Sequence, residues 1–195
     1  MSDILEIQTD ILRAALCAVS YDKGRFYLHG VYFDARGWIA ATNGHVLFAA
    51  HAPAIADWTG AGNILHGVEL AAAVKGKARE VTMGMSGPGV MADSGLAKTY
   101  IPIVDGAFPA WERVIPTPGG LAGDKVAPAH FLPDPIKAIH AMSKALGCTA
   151  YIVPRDDAGA PHPVVFDART DCFAVIMPAR LRIDPVAAWA AMVRP

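Results

Sequence analysis

The sequence has no excess of basic residues, few cysteines and no long hydrophobic run. Its 17 Lys and Arg stand against 18 Asp and Glu, which excludes a strongly basic nucleic-acid binder but not a locally basic surface. The three cysteines, Cys17, Cys148 and Cys172, form no CxxC pair, which favours reduced thiols in a cytoplasmic protein. No apolar run approaches the ~20 residues of a membrane helix. The N-terminus, MSDILEIQTD, lacks the basic and apolar regions of a signal peptide.

Sequence patterns that mark enzyme active sites are also missing. The sequence contains no GxSxG, no Walker loop and no GxGxxG. The acidic pair Asp156-Asp157 lies in a polar turn and is typical of a solvated surface. The histidines show no HxH, HxxxH or HExxH spacing of a metal site, being His29, His45, His51, His66, His130, His140 and His162. We therefore expect no catalysis, no metal and no cofactor.

The residues that are present predict a folded protein organised around a β-hairpin. Apolar residues make up 53% of the 195-residue chain, enough for one large or two small domains. Two alternating apolar runs, Phe26–Phe33 and Trp38–Thr42, flank a turn closed by Gly37 and predict the hairpin. Asn43-Gly44 then predicts a tight turn. The corner from Thr42 to Leu47 is half polar and half apolar, which favours docking over chemistry.

The hairpin belongs to a series of elements that occurs three times. In the first repeat the sequence predicts a strand at Ile4–Ile7, a helix from Asp10 to about Ser20 capped by Thr9, the hairpin, and a strand at Val46–Ala50. The second predicts a strand at Ile64–Leu65, a helix at Val68–Lys75, and strands at Val81–Met85, Val90–Asp93 and Lys98–Val104. The third predicts a strand at Lys125–Ala127, a helix capped by Asp134 and ended by Gly147, and strands at Thr149–Val153, Val164–Asp167 and Cys172–Met177. A further helix is predicted at Asp184–Val193.

Three passes of strand, helix and three strands amount to an internal repeat of roughly 60 residues. One such unit cannot cover both faces of its sheet, so the units should pair into domains. We expect an α+β fold with the helices on one face of antiparallel sheets.

Three sequence blocks carry a resemblance to a known family. They are Arg25-Phe26-Tyr27-Leu28-His29-Gly30 with Ala41-Thr42-Asn43-Gly44-His45-Val46-Leu47, then Val104-Asp105-Gly106-Ala107-Phe108-Pro109-Ala110-Trp111-Glu112-Arg113-Val114-Ile115-Pro116, and Val175-Ile176-Met177-Pro178-Ala179-Arg180-Leu181. In this order, the blocks resemble segments of the bacterial sliding clamp, the beta subunit of DNA polymerase III. The first two resemble the middle domain and the third resembles the end of the last domain.

This resemblance implies a DNA-clamp fold built from βαβββ repeat units, in a shortened form. The family's first domain and the first half of its last domain have no counterpart in the sequence. The implied organisation is a complete clamp-like domain at 1–116, a linker at 117–123, a half clamp-like domain at 124–181, and a C-terminal extension with a predicted helix at 182–195.

In the family, the middle domain and the C-terminal segment form a pocket that binds linear peptides. The corresponding residues are Leu28, Thr42, Gly44, His45, Val46, Leu47, Pro109, Arg113, Val114, Val175, Ile176, Met177, Pro178, Ala179, Arg180 and Leu181. Val46 replaces a family arginine and Ala179 replaces a family methionine, which indicates altered partner preference. Apolar walls and an adaptable methionine suit such a pocket independently of the resemblance.

The resemblance also implies sequence-independent contact with double-stranded DNA through helices that line a ring. Lys137, His140 and Lys144 fall on one predicted helical face, opposite an apolar stripe of Ile136, Ile139, Met142 and Leu146. The matching DNA-facing residues elsewhere are Arg13, Arg25, Lys75, Lys77 and Arg79. A merely solvated helix face remains the alternative for each of them.

These features predict a processivity factor that encircles duplex DNA and binds peptide motifs of a DNA polymerase, a clamp loader or repair proteins. A family ring contains about twelve repeat units, so three units per chain imply a homo-tetramer, with a dimer as the second choice. The alternative is a non-encircling adaptor or decoy that keeps the pocket and does not load on DNA.

Overall fold

The protein has an α+β fold, as the sequence predicts. The computed structural model describes residues 2–117, 129–157 and 159–179. The first unit consists of β1 (Ile4–Gln8), α1 (Thr9–Leu16), β2 (Gly30–Asp34), β3 (Trp38–Thr42) and β4 (Val46–His51). The second consists of β5 (Ile64–His66), α2 (Gly67–Ala73), β6 (Glu80–Ser86), β7 (Gly89–Asp93) and β8 (Lys98–Val104). The third contains α3 (Pro133–Leu146), β9 (Ala150–Ile152), β10 (His162–Phe166) and β11 (Cys172–Ile176). The predicted strand Lys125–Ala127 and the predicted helix Asp184–Val193 lie outside the described residues.

The eleven strands form one antiparallel sheet in the order β1-β6-β7-β8-β5-β2-β3-β4-β11-β10-β9. The first two units exchange their first strands, since β1 pairs with β6 and β5 pairs with β2. The third unit joins through β11, which pairs with β4 from Cys172 opposite Ala50 to Ile176 opposite Val46. Two segments that are far apart in sequence therefore meet at the β4–β11 junction.

The two faces of the sheet bury different side chains. One continuous core lies between the helices and the sheet and includes Leu12, Phe48 and Ile139. The opposite, outer face carries a smaller cluster of Ala40, Leu47, Ala49, Trp111 and Val175. Because side chains alternate along a strand, successive residues of β4 and β11 contribute to different clusters. None of the described helices is long and apolar enough to cross a membrane.

Several local predictions need correction. Residues Lys23–Leu28 form a 3₁₀ helix, so the predicted strand Phe26–Phe33 is reduced to Gly30–Asp34. The side chain of Asp22 caps this turn by accepting a hydrogen bond from the N–H of Gly24 at 3.0 Å. Such local capping competes with strand formation even where apolar residues alternate.

The predicted helix boundaries also move. Helix α1 ends at Leu16, and the Thr9 hydroxyl donates to the carbonyl of Ala78 at 2.6 Å instead of capping the helix. Helix α3 begins at Pro133, before the predicted cap Asp134, while Gly147 ends it with a φ of +67° as predicted. Ile136, assigned to the apolar stripe of this helix, is 40% exposed.

Candidate functional site

A cavity of about 260 Å³ lies where β4 begins and β11 ends. Its lining is mostly apolar, with an arginine and a threonine among the few polar side chains. The lining residues are Arg25, Tyr27, Leu28, Thr42, Gly44, Val46, Leu47, Pro109, Ala110, Trp111, Val114, Val175 and Met177. We call this cavity the junction pocket.

The junction pocket brings together residues from all three sequence blocks. The predicted pocket residues that line it are Leu28, Thr42, Gly44, Val46, Leu47, Pro109, Val114, Val175 and Met177. Those described but absent from its lining are His45, Arg113, Ile176, Pro178 and Ala179, while Arg180 and Leu181 lie outside the described residues.

Ile176 illustrates why one predicted residue is displaced. It is fully buried in the core on the helix side of the sheet, whereas the preceding Val175 belongs to the outer-face cluster. Neighbouring residues of a strand point to opposite faces, so both cannot contribute side chains to one surface cavity. The side chain of Ile176 therefore lies on the helix side of the sheet and does not line the junction pocket.

The lining also contains four residues that were not among the predicted pocket residues: Arg25, Tyr27, Ala110 and Trp111. Arg25 had been assigned to the DNA-facing set, but its guanidinium donates from Nη1 to the carbonyl of Asn43 at 3.1 Å. Its Nε also donates to Asp22 at 3.0 Å. The 3₁₀ turn at Lys23–Leu28 produces this placement. Tyr27 and Trp111 lie inside the motif blocks, so the blocks themselves held a signal for them.

The turn at Asn43-Gly44 forms a rigid rim of the junction pocket. The side-chain oxygen of Asn43 accepts hydrogen bonds from the N–H groups of His45 and Val46 at 2.9 and 3.0 Å. The Thr42 hydroxyl accepts from the N–H of Gly44 at 3.0 Å and donates to the carbonyl of Val46 at 2.8 Å. These bonds pair the polar groups of the turn with one another, as in an Asx turn.

Met177 connects the end of β11 to this rim. Its N–H donates to the carbonyl of His45 at 2.9 Å, which holds the methionine beside the turn. Methionine is unbranched and polarizable, so it adapts to differently shaped apolar groups. The pocket thus combines a fixed rim with an adaptable wall.

The remaining wall is the segment 105–117, which lies on the outer face of the sheet. Phe108 stacks on Tyr32 with ring centroids 4.9 Å apart, and Trp111 packs against Trp38. The indole N–H of Trp111 donates to Asp34 at 3.1 Å. Hydrogen bonds from Arg36 hold the pKa of the Asp34 carboxyl below its usual range, despite the opposing effect of burial.

The remaining cations assigned to DNA lie in different surroundings. The guanidinium of Arg13 donates to the carbonyls of Val74, Gly76 and Ala78, so it stabilises the chain after α2. An open polar cavity of about 470 Å³ beside it is lined by side chains of both charge signs, namely Lys77 and Arg79 with Asp10 and Glu80. The other residues of this set are exposed, namely Lys75, Lys137, His140 and Lys144, and Lys137 pairs with Asp134 at 3.2 Å.

Within the part of the chain that the structure describes, no group of three His, Cys, Asp or Glu residues lies together in a way that could hold a metal ion.

The fold matches solved structures of bacterial sliding clamps. The DNA polymerase III beta subunit from Thermotoga maritima superposes with a TM-score of 0.64 at 15% identity, covering 92% of this chain and 66% of that one. The pol III beta of Caulobacter crescentus gives a TM-score of 0.65 at 20% identity, with the same coverage. A sliding clamp from Bartonella birtlesii, solved bound to griselimycin, gives 0.67 at 18% identity, covering 92% and 67%.

These matches extend over almost the whole chain, which has the sliding-clamp fold. The chain spans about two thirds of the length of the clamps it matches. By sequence, no protein-family model and no curated protein gives a match.

Proposed function

We propose that this chain is a non-catalytic, cytoplasmic, sliding-clamp-like processivity factor that binds linear peptide motifs of replication or repair proteins in the junction pocket. The observation that carries the proposal is the pocket's position in a clamp fold. Its walls come from the start of β4, the segment 105–117 and the end of β11, which are the three blocks that resemble the peptide pocket of the clamp family.

The chemistry of the pocket favours the binding of an extended peptide with apolar anchor residues. Leu47, Val114 and Val175 provide apolar walls, and Met177 adapts to the anchor that enters. A few buried anchors carry most of the affinity of such peptides. Arg25 adds one cation to the lining, which favours a peptide with an acidic residue beside its apolar anchors.

The pocket is tested by titrating a fluorescent clamp-binding peptide against the wild type and Met177→Glu. An apolar anchor that enters the pocket would desolvate the carboxylate, so this change should weaken binding by at least about tenfold. Leu96→Glu is the matched control, because Leu96 is 77% exposed and lies outside the pocket lining, and it should bind like the wild type. Equal affinity of Met177→Glu and the control would refute the peptide pocket.

We propose further that the helix side of the sheet faces double-stranded DNA. Lys137, His140 and Lys144 are exposed on α3, and Lys75 is exposed after α2. The near-neutral chain argues for weak contact with phosphates, so that encirclement would provide retention on DNA.

Retention on DNA separates the encircling function from the adaptor or decoy. After incubation with a clamp loader and ATP, an encircling clamp should remain on nicked circular DNA and leave the same DNA once it is linearised. A chain that keeps peptide affinity but is lost equally from both substrates would be the adaptor.

Encirclement requires self-association, because the ring that the family resemblance implies has about twelve repeat units and this chain supplies three. We propose a homo-tetramer as the ring, with a dimer of third units as the second possibility. In this proposal residues 1–116 form a complete clamp-like domain and 124–181 form a half domain. Among the described strands, β9 pairs on one side only, with β10, whereas β6 at the corresponding position of the second unit pairs on both sides, and this difference supports the proposal.

A further inference from the structure

The wall of the junction pocket formed by 105–117 is held against the sheet by side chains. Its described backbone hydrogen bonds are local: Arg113 N–H donates to the carbonyl of Ala110 at 3.2 Å, and Ile115 N–H to that of Glu112 at 3.1 Å. Among the described residues, no backbone hydrogen bond joins this segment to a strand. The position of the wall relative to β4 and β11 therefore depends on side-chain contacts.

Trp111 makes the central contact of this wall. It is 5% exposed, lines the junction pocket, and packs in the outer-face cluster with Leu47 and Val175. Both of those residues also line the pocket. A displacement of the Trp111 ring would consequently change the wall of the pocket and the surface on which the wall lies.

Asp34, at the end of β2, fixes the orientation of the Trp111 ring. Its side chain is 3% exposed, and its Oδ2 accepts the indole N–H of Trp111 at 3.1 Å. Its Oδ1 accepts both the backbone N–H and the Nε–H of Arg36, each at 2.9 Å. A buried carboxylate is costly unless it is paired and hydrogen-bonded, so these donors and Asp34 hold one another in place.

Arg36 connects this buried carboxylate to the wall a second time. Its guanidinium pairs with Asp34 and, through Nη1, with Glu112, the residue after Trp111. The same guanidinium lies 5.9 Å from the centroid of the Trp111 ring. The β2–β3 turn thereby holds two consecutive residues of the wall.

We propose that Asp34 and Arg36 are positioning residues that set the peptide affinity of the junction pocket through Trp111 without contacting the peptide. This inference rests on the proposed peptide-binding function. Neither Asp34 nor Arg36 belongs to the pocket lining, whereas Trp111 does. We call the three residues, together with Glu112, the wall latch.

Two substitutions disrupt the central bond of the wall latch from either side, because an asparagine offers one acceptor oxygen where Asp34 offers two, and a phenylalanine has no N–H. Asp34→Asn keeps the size of the side chain and removes its charge, and Trp111→Phe keeps an aromatic ring and removes the N–H. Each should weaken peptide binding about tenfold, because a hydrogen bond to a charged group is stronger than a neutral one. The double variant should bind about as weakly as the weaker single variant, since both changes disrupt the same bond.

Two matched controls separate positioning from a general loss of stability. Trp58→Phe makes the same chemical change at a fully buried tryptophan whose N–H has no partner among the described residues. Asp171→Asn makes the same change at a carboxylate that pairs with Arg169 before β11. Both controls should keep the wild-type affinity.

A measurement without peptide keeps the two proposals distinguishable. Amide hydrogen exchange at Arg113 and Ile115 should accelerate about tenfold in Asp34→Asn and stay unchanged in Trp58→Phe. The wall latch is refuted if Asp34→Asn and Trp111→Phe leave exchange within about twofold of the wild type, or if the controls weaken peptide binding equally. Faster exchange in a protein that binds no peptide at all would support the latch and refute the peptide-binding function.

Discussion

At the scale of single residues, Gly44 controls how closely Arg25 approaches the rim of the pocket. Gly44 has a φ of +87°, in the left-handed region that favours glycine. A β-carbon at this position would lie 2.7 Å from Nη1 of Arg25. The absence of a side chain therefore lets the guanidinium bind the carbonyl of Asn43 and line the pocket.

Gly44→Ala should reduce the free energy of unfolding by about 1 kcal/mol and weaken peptide binding severalfold, because the new methyl displaces Arg25. Gly62→Ala is the control: Gly62 has a φ of +86° but no atom within 4 Å of an added β-carbon. It should lose similar stability in urea denaturation and bind peptide like the wild type. Equal peptide affinities of the two variants would show that Arg25 does not contribute.

Two aspartates link stability to pH. Hydrogen bonds from Arg36 lower the pKa of Asp34, and hydrogen bonds from Arg169 lower the pKa of Asp171. An unfolded aspartate has a pKa of about 3.9, so on acidification the unfolded chain takes up these protons first. The stabilisation is therefore present above about pH 4 and is lost as the pH falls through the lowered pKa values of the folded state.

We expect the free energy of unfolding of the wild type to fall more steeply from about pH 5 to about pH 3 than that of Asp34→Asn/Asp171→Asn. The double variant starts from a lower stability and lacks two of the carboxylates that take up protons on unfolding. Urea denaturation at several pH values measures both slopes. Parallel curves for the two proteins would contradict the assignment of lowered pKa values to these aspartates.

At the scale of elements, Arg169 ties the third unit to the first helix. Its Nη1 donates to Asp10 at 2.8 Å, and its Nε and Nη2 donate to Asp171 at 2.8 Å. Asp10 lies in the first turn of α1, where a negative charge is favourable. The Arg169 side chain is only 18% exposed, so this contact is less screened than a surface pair.

Arg169→Ala should lower the free energy of unfolding by about 1–2 kcal/mol, since it leaves two aspartates without their shared partner. Lys137→Ala provides the comparison, because the pair of Lys137 with Asp134 is almost fully exposed. That variant should change stability by no more than about 0.5 kcal/mol. Equal losses in urea denaturation would indicate that the Arg169 contact contributes no more than a surface pair.

At the scale of the whole molecule, the third unit leaves an apolar surface beside β9. Ile136 and Tyr151 are 40% and 55% exposed, and a shallow groove of about 300 Å³ lies between α3 and the sheet. The groove is lined by Ile136, Ile139, His140, Ser143, Thr149, Ala150 and Ile152. Within the described residues β9 is a strand edge, and an apolar surface beside such an edge favours a second copy of the chain, as the proposed ring requires.

Ile136→Glu should reduce the mass of the assembly measured by light scattering, because it places a charge in this groove. Val68→Glu is the control: Val68 is 54% exposed on α2 and lies outside the groove. It should leave the mass unchanged. A wild-type protein that is already monomeric at micromolar concentration would contradict both the tetramer and the dimer.

The sequence by itself determined the features that depend on neighbouring residues. Alternating apolar residues gave β3, a continuous apolar run gave β4, Asn43-Gly44 gave the turn, and Gly147 gave the end of α3. These are local preferences of the backbone, so the order of strands and helices could be predicted through the described part of the chain. The motif blocks also indicated most of the pocket lining. The domain boundaries at 116 and 124 stay a prediction.

Only the tertiary structure decided which side chains form the site. The pairing of β4 with β11 directs Val175 to the outer face and Ile176 to the helix side, and no local pattern sets that register. The 3₁₀ turn before β2 places Arg25 at the pocket. The segment 105–117 lies across the outer face of the sheet and brings Trp111 to Asp34. Contacts between residues far apart in sequence depend on how strands pair and which faces they bury, and these are properties of the assembled sheet.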